Sequence, residues 1–153
     1  SKTYGMAGAR IGICVGNKDI VEQLRILKSN IDYGMFLAIQ KAAIAALTQD
    51  QSCVVETRMQ YQKRRDMLVK GLHEAGWDVD APKATMFMWA QIPQSYEDSE
   101  VFAYDLLKKT GMLITPGTEF GELGRKFVRI ALVQSEEIIE KALISVKESG
   151  FFK

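Results

Sequence analysis

The chain opens with SKTYGMAGARIGI, residues 1–13, and this stretch carries most of the chemistry that the sequence reveals. Lys2 is followed by a loop of glycine and alanine, whose small side chains let the backbone come close to a ligand. Arg10 then begins a predicted strand over residues 10–15, in which alternation puts Arg10 on a face with small neighbours. We therefore expect the Arg10 guanidinium to project into open space.

A lysine and an arginine eight positions apart across a glycine loop suit a phosphorylated aldehyde. An amine that is desolvated or close to positive charge loses its proton more easily, and the free amine attacks an aldehyde to form a Schiff base. A planar guanidinium offers forked donors that match a phosphate. Taken singly, Lys2 and Arg10 would each be interpreted as an ordinary exposed charge, because lysine and arginine usually are. Their joint spacing favours a cofactor site.

The run SKT at residues 1–3, followed by G-x-R-x-G at residues 8–12, resembles the signature of the class I/II pyridoxal-phosphate-dependent aminotransferases of fold type I. The resemblance implies that Lys2 is the catalytic residue and carries pyridoxal 5'-phosphate covalently. It also implies that Arg10 binds the cofactor phosphate and that Ser1 is a further cofactor-binding residue.

A second chemical position lies in FVRIALV, residues 127–133, where alternation puts Arg129 on one face and Val128, Ile130 and Leu132 on the other. A buried guanidinium without a partner is costly, so a protein carboxylate or an incoming anion must complete it. The alternative is an edge strand that leaves Arg129 in water. The segment P-G-x-x-F-G…R-I-A-L, residues 116–132, resembles the same family, which implies that Arg129 binds the substrate α-carboxylate.

Helical spacing predicts a first helix capped by Asn17, a second over residues 36–47 and a long third over residues 53–75. The third is apolar at its ends and charged in its middle, which fits a bridge between two domains. Shorter units follow and indicate a small mixed sheet with helices. The predicted strands cover residues 84–92, 112–115 and 126–133, and helices begin near Asp98 and Ser135. Residues 84–89, ATMFMW, resemble the family strand that contributes an aromatic near the substrate, but a strand aromatic is more often a core residue, so Phe87 and Trp89 are not counted as site residues.

Composition excludes several classes of function. The 153 residues are 47% hydrophobic with net charge +1 and no basic run, which argues against nucleic acid as a partner. The longest apolar stretch, residues 35–47, is too short to span a bilayer and is better explained as a buried amphipathic helix, so we expect no membrane partner. Cys14 and Cys53 lack the spacing of a metal site or a disulfide framework, which favours a cytoplasmic protein.

The resemblance implies a fold that passes from α/β to α+β. Residues 1–50 would be the C-terminal segment of a large α/β cofactor-binding domain, and residues 51–153 a small α+β C-terminal domain, joined by the long bridging helix. The whole protein would be a cytoplasmic homodimer that transfers an amino group between an L-amino acid and a 2-oxo acid. A pyridoxal-phosphate-dependent lyase on the same scaffold stays open, as does a non-catalytic structural role for the isolated chain.

Family members are more than twice as long, and this chain opens in the middle of a motif, so we expect the natural protein to begin upstream. The isolated 153 residues should therefore lack catalytic activity. Some relatives that use dicarboxylates present an arginine just before the second helix, but residues 29–33, SNIDY, contain none. The run NID-x-G at residues 30–34 resembles branches with aromatic, alanine-type or LL-diaminopimelate substrates, and the amino acid stays open.

Overall fold

The computed structural model of the chain describes residues 1–152, which divide into two compact units. The first unit is Ser1–Arg58 and the second begins at Met59. The border between the units lies within a helix. It stays a prediction that residues 1–50 belong to a larger domain and residues 51–153 to a smaller one. The elements are α1 Lys18–Ile31, α2 Leu37–Thr48, α3 Ser52–Ala75, β1 Phe87–Gln91, α4 Ser99–Thr110, β2 Thr115–Pro116, β3 Phe127–Ala131 and α5 Glu136–Ser149.

Helix α1 begins where the sequence predicts it. The Asn17 side-chain oxygen accepts hydrogen bonds from the backbone N–H groups of Asp19, at 2.8 Å, and Ile20, at 3.4 Å. These bonds satisfy two of the donors that a helix start leaves free. Helix α2 also forms, but the prediction that it is buried was wrong. No residue of the first unit is buried, because nothing among its described elements covers the apolar faces of α1 and α2.

The predicted strand over residues 10–15 does not form. A strand exists only with a hydrogen-bonded neighbour, and residues 1–58 contain no strand at all. Arg10 itself has φ 51° and ψ 45°, the left-handed region, directly after a single 3-10 turn at Ala7–Ala9. The expected alternation of side chains therefore fails at its first residue.

Strands β1, β3 and β2 form a sheet in that order, and both pairings are antiparallel. The prediction of a mixed sheet was wrong, and the strands are shorter than predicted. Thr85 has φ 73°, and its hydroxyl accepts from the Phe87 N–H at 3.1 Å, so β1 starts at Phe87. Strand β2 contains only two residues, and Pro116 cannot donate a ladder hydrogen bond.

One face of this sheet forms the core of the second unit. Helix α3 contributes Leu68 and Leu72, and the fully buried Phe102 of α4 meets Trp77 edge-on at 5.1 Å. Helix α4 starts at an Asp98 cap and α5 at a Ser135 cap, both as predicted. The remaining core residues are Ala75, Val79, Met88, Ala90, Ile92, Ala103, Leu106, Ile114, Val128, Ile130, Leu132, Ile139 and Val146.

Within residues 1–152 no helix is both long and apolar enough to cross a membrane. The same residues contain no cluster of three or more side chains that could hold a metal ion. Cys14 and Cys53 are both free thiols and both exposed.

Candidate functional site

The candidate site residues fall into two groups. Ser1, Lys2 and Arg10 share one loop of the first unit, and Arg129 lies on β3 of the second.

Two tight turns shape the N-terminal loop. The Lys2 carbonyl accepts from the Gly5 N–H at 3.2 Å, and the Met6 carbonyl accepts from the Ala9 N–H at 3.1 Å. Gly5 has φ 63°, a conformation that glycine adopts without strain. The Tyr4 hydroxyl donates to Gln51 Oε1 at 2.8 Å and fastens the loop to the start of α3. The loop is therefore folded by its own backbone and held by one side chain.

The polar side chains of this loop are left available. Lys2 and Arg10 are exposed, and within the described residues neither forms an ion pair with a carboxylate. Arg10 makes a single hydrogen bond, from Nη1 to the Ala7 carbonyl at 3.3 Å. A Cβ placed on Gly8 or Gly12 would meet no atom within 4 Å, so the space beside the backbone is open.

A cavity of about 230 Å³ lies in the same unit, between the loop and α2. Ser1, Tyr4, Met6, Ile11, Gly12, Ile13, Ala43, Ala46 and Leu47 line it. Ser1 borders this cavity, whereas Lys2 and Arg10 do not line it. The loop nevertheless carries a hydroxyl, an amine and a guanidinium without a carboxylate partner among the described residues. That donor set has the chemistry to hold a phosphorylated aldehyde, because the amine can react with the aldehyde and the guanidinium can bind the phosphate.

Strand β3 shows the predicted alternation. Val128 and Ile130 are buried, Leu132 just after the strand is buried too, and Arg129 is half-buried on the opposite face. The Arg129 Nε is buried and makes no hydrogen bond. No carboxylate among residues 1–152 lies within ion-pair distance of its guanidinium. No carboxylate partner is therefore found among the described residues, and β3 lies between β1 and β2, so it is not the edge strand of the other alternative. That an incoming anion completes Arg129 stays a prediction.

Aromatic rings take the place of that carboxylate. The Arg129 guanidinium carbon lies 4.5 Å from the ring centroid of Phe87 and 4.5 Å from that of Phe120. Trp89 pairs directly with Arg129 in the ladder, and its ring meets Phe120 edge-on at 5.6 Å. We call Phe87, Trp89, Phe120 and Arg129 the arginine–aromatic cluster. Rings of this kind attract a cation through their negative faces and leave its edge donors free.

Phe87 and Trp89, which were not counted as site residues from the sequence, are not buried in the core either. Both face the side of the sheet that carries Arg129, and Trp89 is 43% exposed. The signal for them was present, because alternation along β1 separates them from the buried Met88 and Ala90. Phe120 had no such signal, since it approaches the sheet from a loop.

That loop is closed by contact between two glycines. A Cβ added to Gly117 would overlap the backbone oxygens of Gly124 and Phe127, and one added to Gly124 would overlap the Gly117 oxygen. Only glycine fits at either position. Thr118 fastens the loop to α4, because its hydroxyl donates to Glu100 Oε1 at 2.9 Å.

Residues 1–146 match the model of the family described as "Aminotransferase class I and II". The chain therefore belongs to the class I and II aminotransferase family. It is 50% identical over 149 residues to the glutamate-pyruvate aminotransferase AlaC of Escherichia coli (strain K12), covering 96% of this chain and 36% of that protein. It is 46% identical to the LL-diaminopimelate aminotransferase of Halothermothrix orenii, covering 97% of this chain and 38% of that protein.

Solved structures agree with this assignment. An aminotransferase from Staphylococcus aureus superposes with a TM-score of 0.89 at 33% identity, covering 98% of this chain and 40% of that one. A Thermus thermophilus aspartate aminotransferase mutant superposes with a TM-score of 0.88 at 28% identity, covering 97% of this chain and 39% of that one. The chain thus spans about two fifths or less of the length of the relatives it matches.

Proposed function

We propose that the whole protein is an aminotransferase that moves an amino group between an L-amino acid and a 2-oxo acid. One observation carries this proposal: the Arg129 guanidinium packs on two aromatic rings with a buried Nε and no acceptor among residues 59–152. An incoming carboxylate supplies the acceptor that is missing. A fork of parallel N–H groups matches a carboxylate in a bidentate manner.

The cofactor we propose is pyridoxal 5'-phosphate, on which homologous aminotransferases depend. Lys2 would hold it through its ε-amino group, and Arg10 with Ser1 would bind its phosphate. When bound, such a cofactor supplies an electron sink that stabilises a carbanion at the substrate α-carbon. The observed loop supports these roles, since it leaves the Lys2 and Arg10 side chains exposed and without a carboxylate partner in the described part of the unit.

Each residue then has a distinct task. The Lys2 amine, freed when the substrate amino group takes its place on the cofactor, would take the proton from the substrate α-carbon as a general base and deliver it to the cofactor carbon as a general acid. Arg129 binds the α-carboxylate, which is the same group in every amino acid. One fixed fork can therefore orient many substrates, and the contribution of Arg129 is geometric.

For the substrate we propose an alanine-type or LL-diaminopimelate-type amino acid, in amino acid metabolism. The segment SNIDY at residues 29–33 offers no arginine for a second carboxylate of the dicarboxylate type. The names of the two relatives quoted above point in the same direction. L-alanine with 2-oxoglutarate and glutamate with pyruvate are accordingly the first pairs to assay.

We further propose a cytoplasmic homodimer without nucleic-acid or membrane partners. The two exposed free thiols suit a reducing compartment. The homodimer rests on the family resemblance. We also keep the proposal that residues 1–50 complete a large cofactor domain and that residues 51–153 form a small one.

The test is amino-group exchange by the whole protein. Incubation with an L-amino acid and a 2-oxo acid should give the new amino acid, and Lys2→Ala should abolish the exchange. Lys41→Ala removes another exposed lysine of the same unit and should leave exchange intact. Release of ammonia without exchange would instead support the lyase, which the relatives do not favour because all those quoted are aminotransferases.

A further inference from the structure

We propose that Phe120 is a positioning residue for Arg129, held in place by the closed loop Gly117–Gly124. In this proposal the ring fixes the direction of the guanidinium, and the loop thereby sets the affinity for the substrate carboxylate. The inference rests on the proposed function of Arg129.

The first step concerns the freedom of the arginine. An arginine side chain has several rotatable bonds and loses considerable entropy when it is held in one conformation. Arg129 has no hydrogen bond or ion pair within residues 1–152 that could fix its head group. The contacts that remain are the rings of Phe87 and Phe120, each 4.5 Å from the guanidinium carbon. These two rings are what orients the fork before a carboxylate arrives.

The second step concerns Phe120 itself, which is not there to fill the core. Its ring is 52% exposed, so hydrophobic burial alone does not explain its place. The Gly117–Gly124 contact closes the loop, and the Thr118 hydrogen bond to Glu100 ties it to α4. Trp89 then supports the ring from the sheet, at 5.6 Å and 74°. The closed loop and Trp89 thus hold the exposed Phe120 ring against the Arg129 guanidinium.

The third step is the expected kinetic signature. A residue that orients Arg129 affects only ligands that carry a carboxylate, and it affects ground state and transition state alike. Removing it should raise KM and leave kcat nearly unchanged. The strength of a single cation–π contact predicts a rise of about three- to tenfold.

The experiment uses the whole protein and three variants. Phe120→Leu removes the ring face and keeps an apolar side chain, whereas Phe120→Tyr keeps the ring. Leu123→Ala is the matched control, because Leu123 lies in the same loop and is 98% exposed. The probes are L-alanine as substrate, propionate as a carboxylate without an amine, and ethylamine as an amine without a carboxylate.

In Phe120→Leu we expect KM for L-alanine and the dissociation constant of propionate, measured by calorimetry, to rise by the same factor. The rate with ethylamine should not change, Phe120→Tyr should restore wild-type values, and Leu123→Ala should behave as wild type. Phe87→Leu tests the second ring and should reproduce the effect if Phe120→Leu fails to fold.

Unchanged propionate binding in folded Phe120→Leu would overturn the inference, as would an equal loss of activity with ethylamine. A wild-type protein that does not bind propionate would overturn it too. A wild-type protein that binds propionate but exchanges no amino groups would refute the proposed function instead, and the calorimetric comparison would still decide the role of Phe120.

Discussion

The two units use similar residues and differ in what they bury. Every buried residue described lies in the unit that begins at Met59, whereas Ser1–Arg58 has none. In the first unit Ile20 is 69% exposed and Phe36 is 72% exposed, although both stand at or beside helices. Local signals such as caps and spacing are therefore enough to define a helix. A core additionally requires other segments to cover it, and the stability of the two units should differ accordingly.

The two arginines proposed for the site show the same contrast. Arg10 is exposed and touches only the Ala7 carbonyl of its own turn, whereas Arg129 is half-buried between segments distant in sequence. Arg129 is thus oriented by the fold of its unit, and Arg10 is oriented only by its local backbone.

The largest difference in the free energy of unfolding should come from truncating one phenylalanine to alanine in each unit. Phe102 is fully buried, so Phe102→Ala should lower the free energy of unfolding of the second unit by about 3 to 5 kcal/mol. Phe36→Ala in the first unit should change it by less than about 0.5 kcal/mol. Urea unfolding of the 153-residue chain measures both. A comparable loss from Phe36→Ala would mean that the first unit has a core after all.

The next effect separates the two arginines by role. In the whole protein, Arg129→Lys keeps the charge and loses the fork, and should lower kcat/KM by about 2 to 4 kcal/mol in transition-state stabilisation. Cofactor absorbance should stay unchanged in that variant. Arg10→Ala should instead weaken cofactor retention in dialysis. If Arg129→Lys released the cofactor, or left turnover untouched, its assignment to the carboxylate would be wrong.

Helix caps allow a comparison with a smaller expected effect, because the same hydrogen bond from a backbone N–H to a capping side chain exists in both units. Asp98 accepts from the Glu100 N–H at 2.7 Å, and Asn17 accepts from the Asp19 N–H at 2.8 Å. Asp98→Ala should lower the free energy of unfolding by about 1 kcal/mol, since α4 belongs to the core. Asn17→Ala should reduce the circular dichroism of α1 without moving the cooperative transition. Asp98→Asn retains a capping oxygen and serves as the control.

The smallest effect concerns Tyr96 in the second unit. Burial raises the pKa of the Tyr96 phenol, and its hydrogen bond to Asp105 raises that pKa further. The folded state therefore holds this proton more tightly than the unfolded state does. The resulting stability is present below the ordinary tyrosine pKa of about 10 and is lost as pH rises through the higher folded pKa. Subtracting the absorbance titration of Tyr96→Phe from that of the wild type isolates the Tyr96 phenol. We expect this phenol to ionise above the ordinary tyrosine pKa. Ionisation at or below the ordinary value would contradict this.

The sequence predicted best what depends on near neighbours. The caps at Asn17, Asp98 and Ser135 involve residues two or three positions away, and all three form. The alternation that isolates Arg129 is also a local property, since strand side chains point to opposite faces in turn. These features follow from the chain itself.

The failures concern contacts between distant segments. The strand expected at residues 10–15 requires a neighbouring strand, and the burial expected of α2 requires a covering element. The arginine–aromatic cluster joins β1, β3 and a loop, so no single stretch reveals it. The family resemblance indicated Arg129, and alternation put Phe87 and Trp89 on one face of their strand, but that this face is the one that carries Arg129 depends on the register between β1 and β3. The roles of Ser1, Lys2, Arg10 and Arg129 stay predictions.

The contact between Gly117 and Gly124 leaves three of the six positions between them open to exchange. The ends of the segment are held by two backbones in contact, and inside it Thr118 bonds to Glu100 and Gly121 has φ 116°. Exchanges at Glu119, Glu122 or Leu123 should be tolerated, while any larger residue at Gly117 or Gly124 should disrupt the loop. Those three positions could therefore be randomised around the ring at position 120 without rebuilding the sheet beneath it.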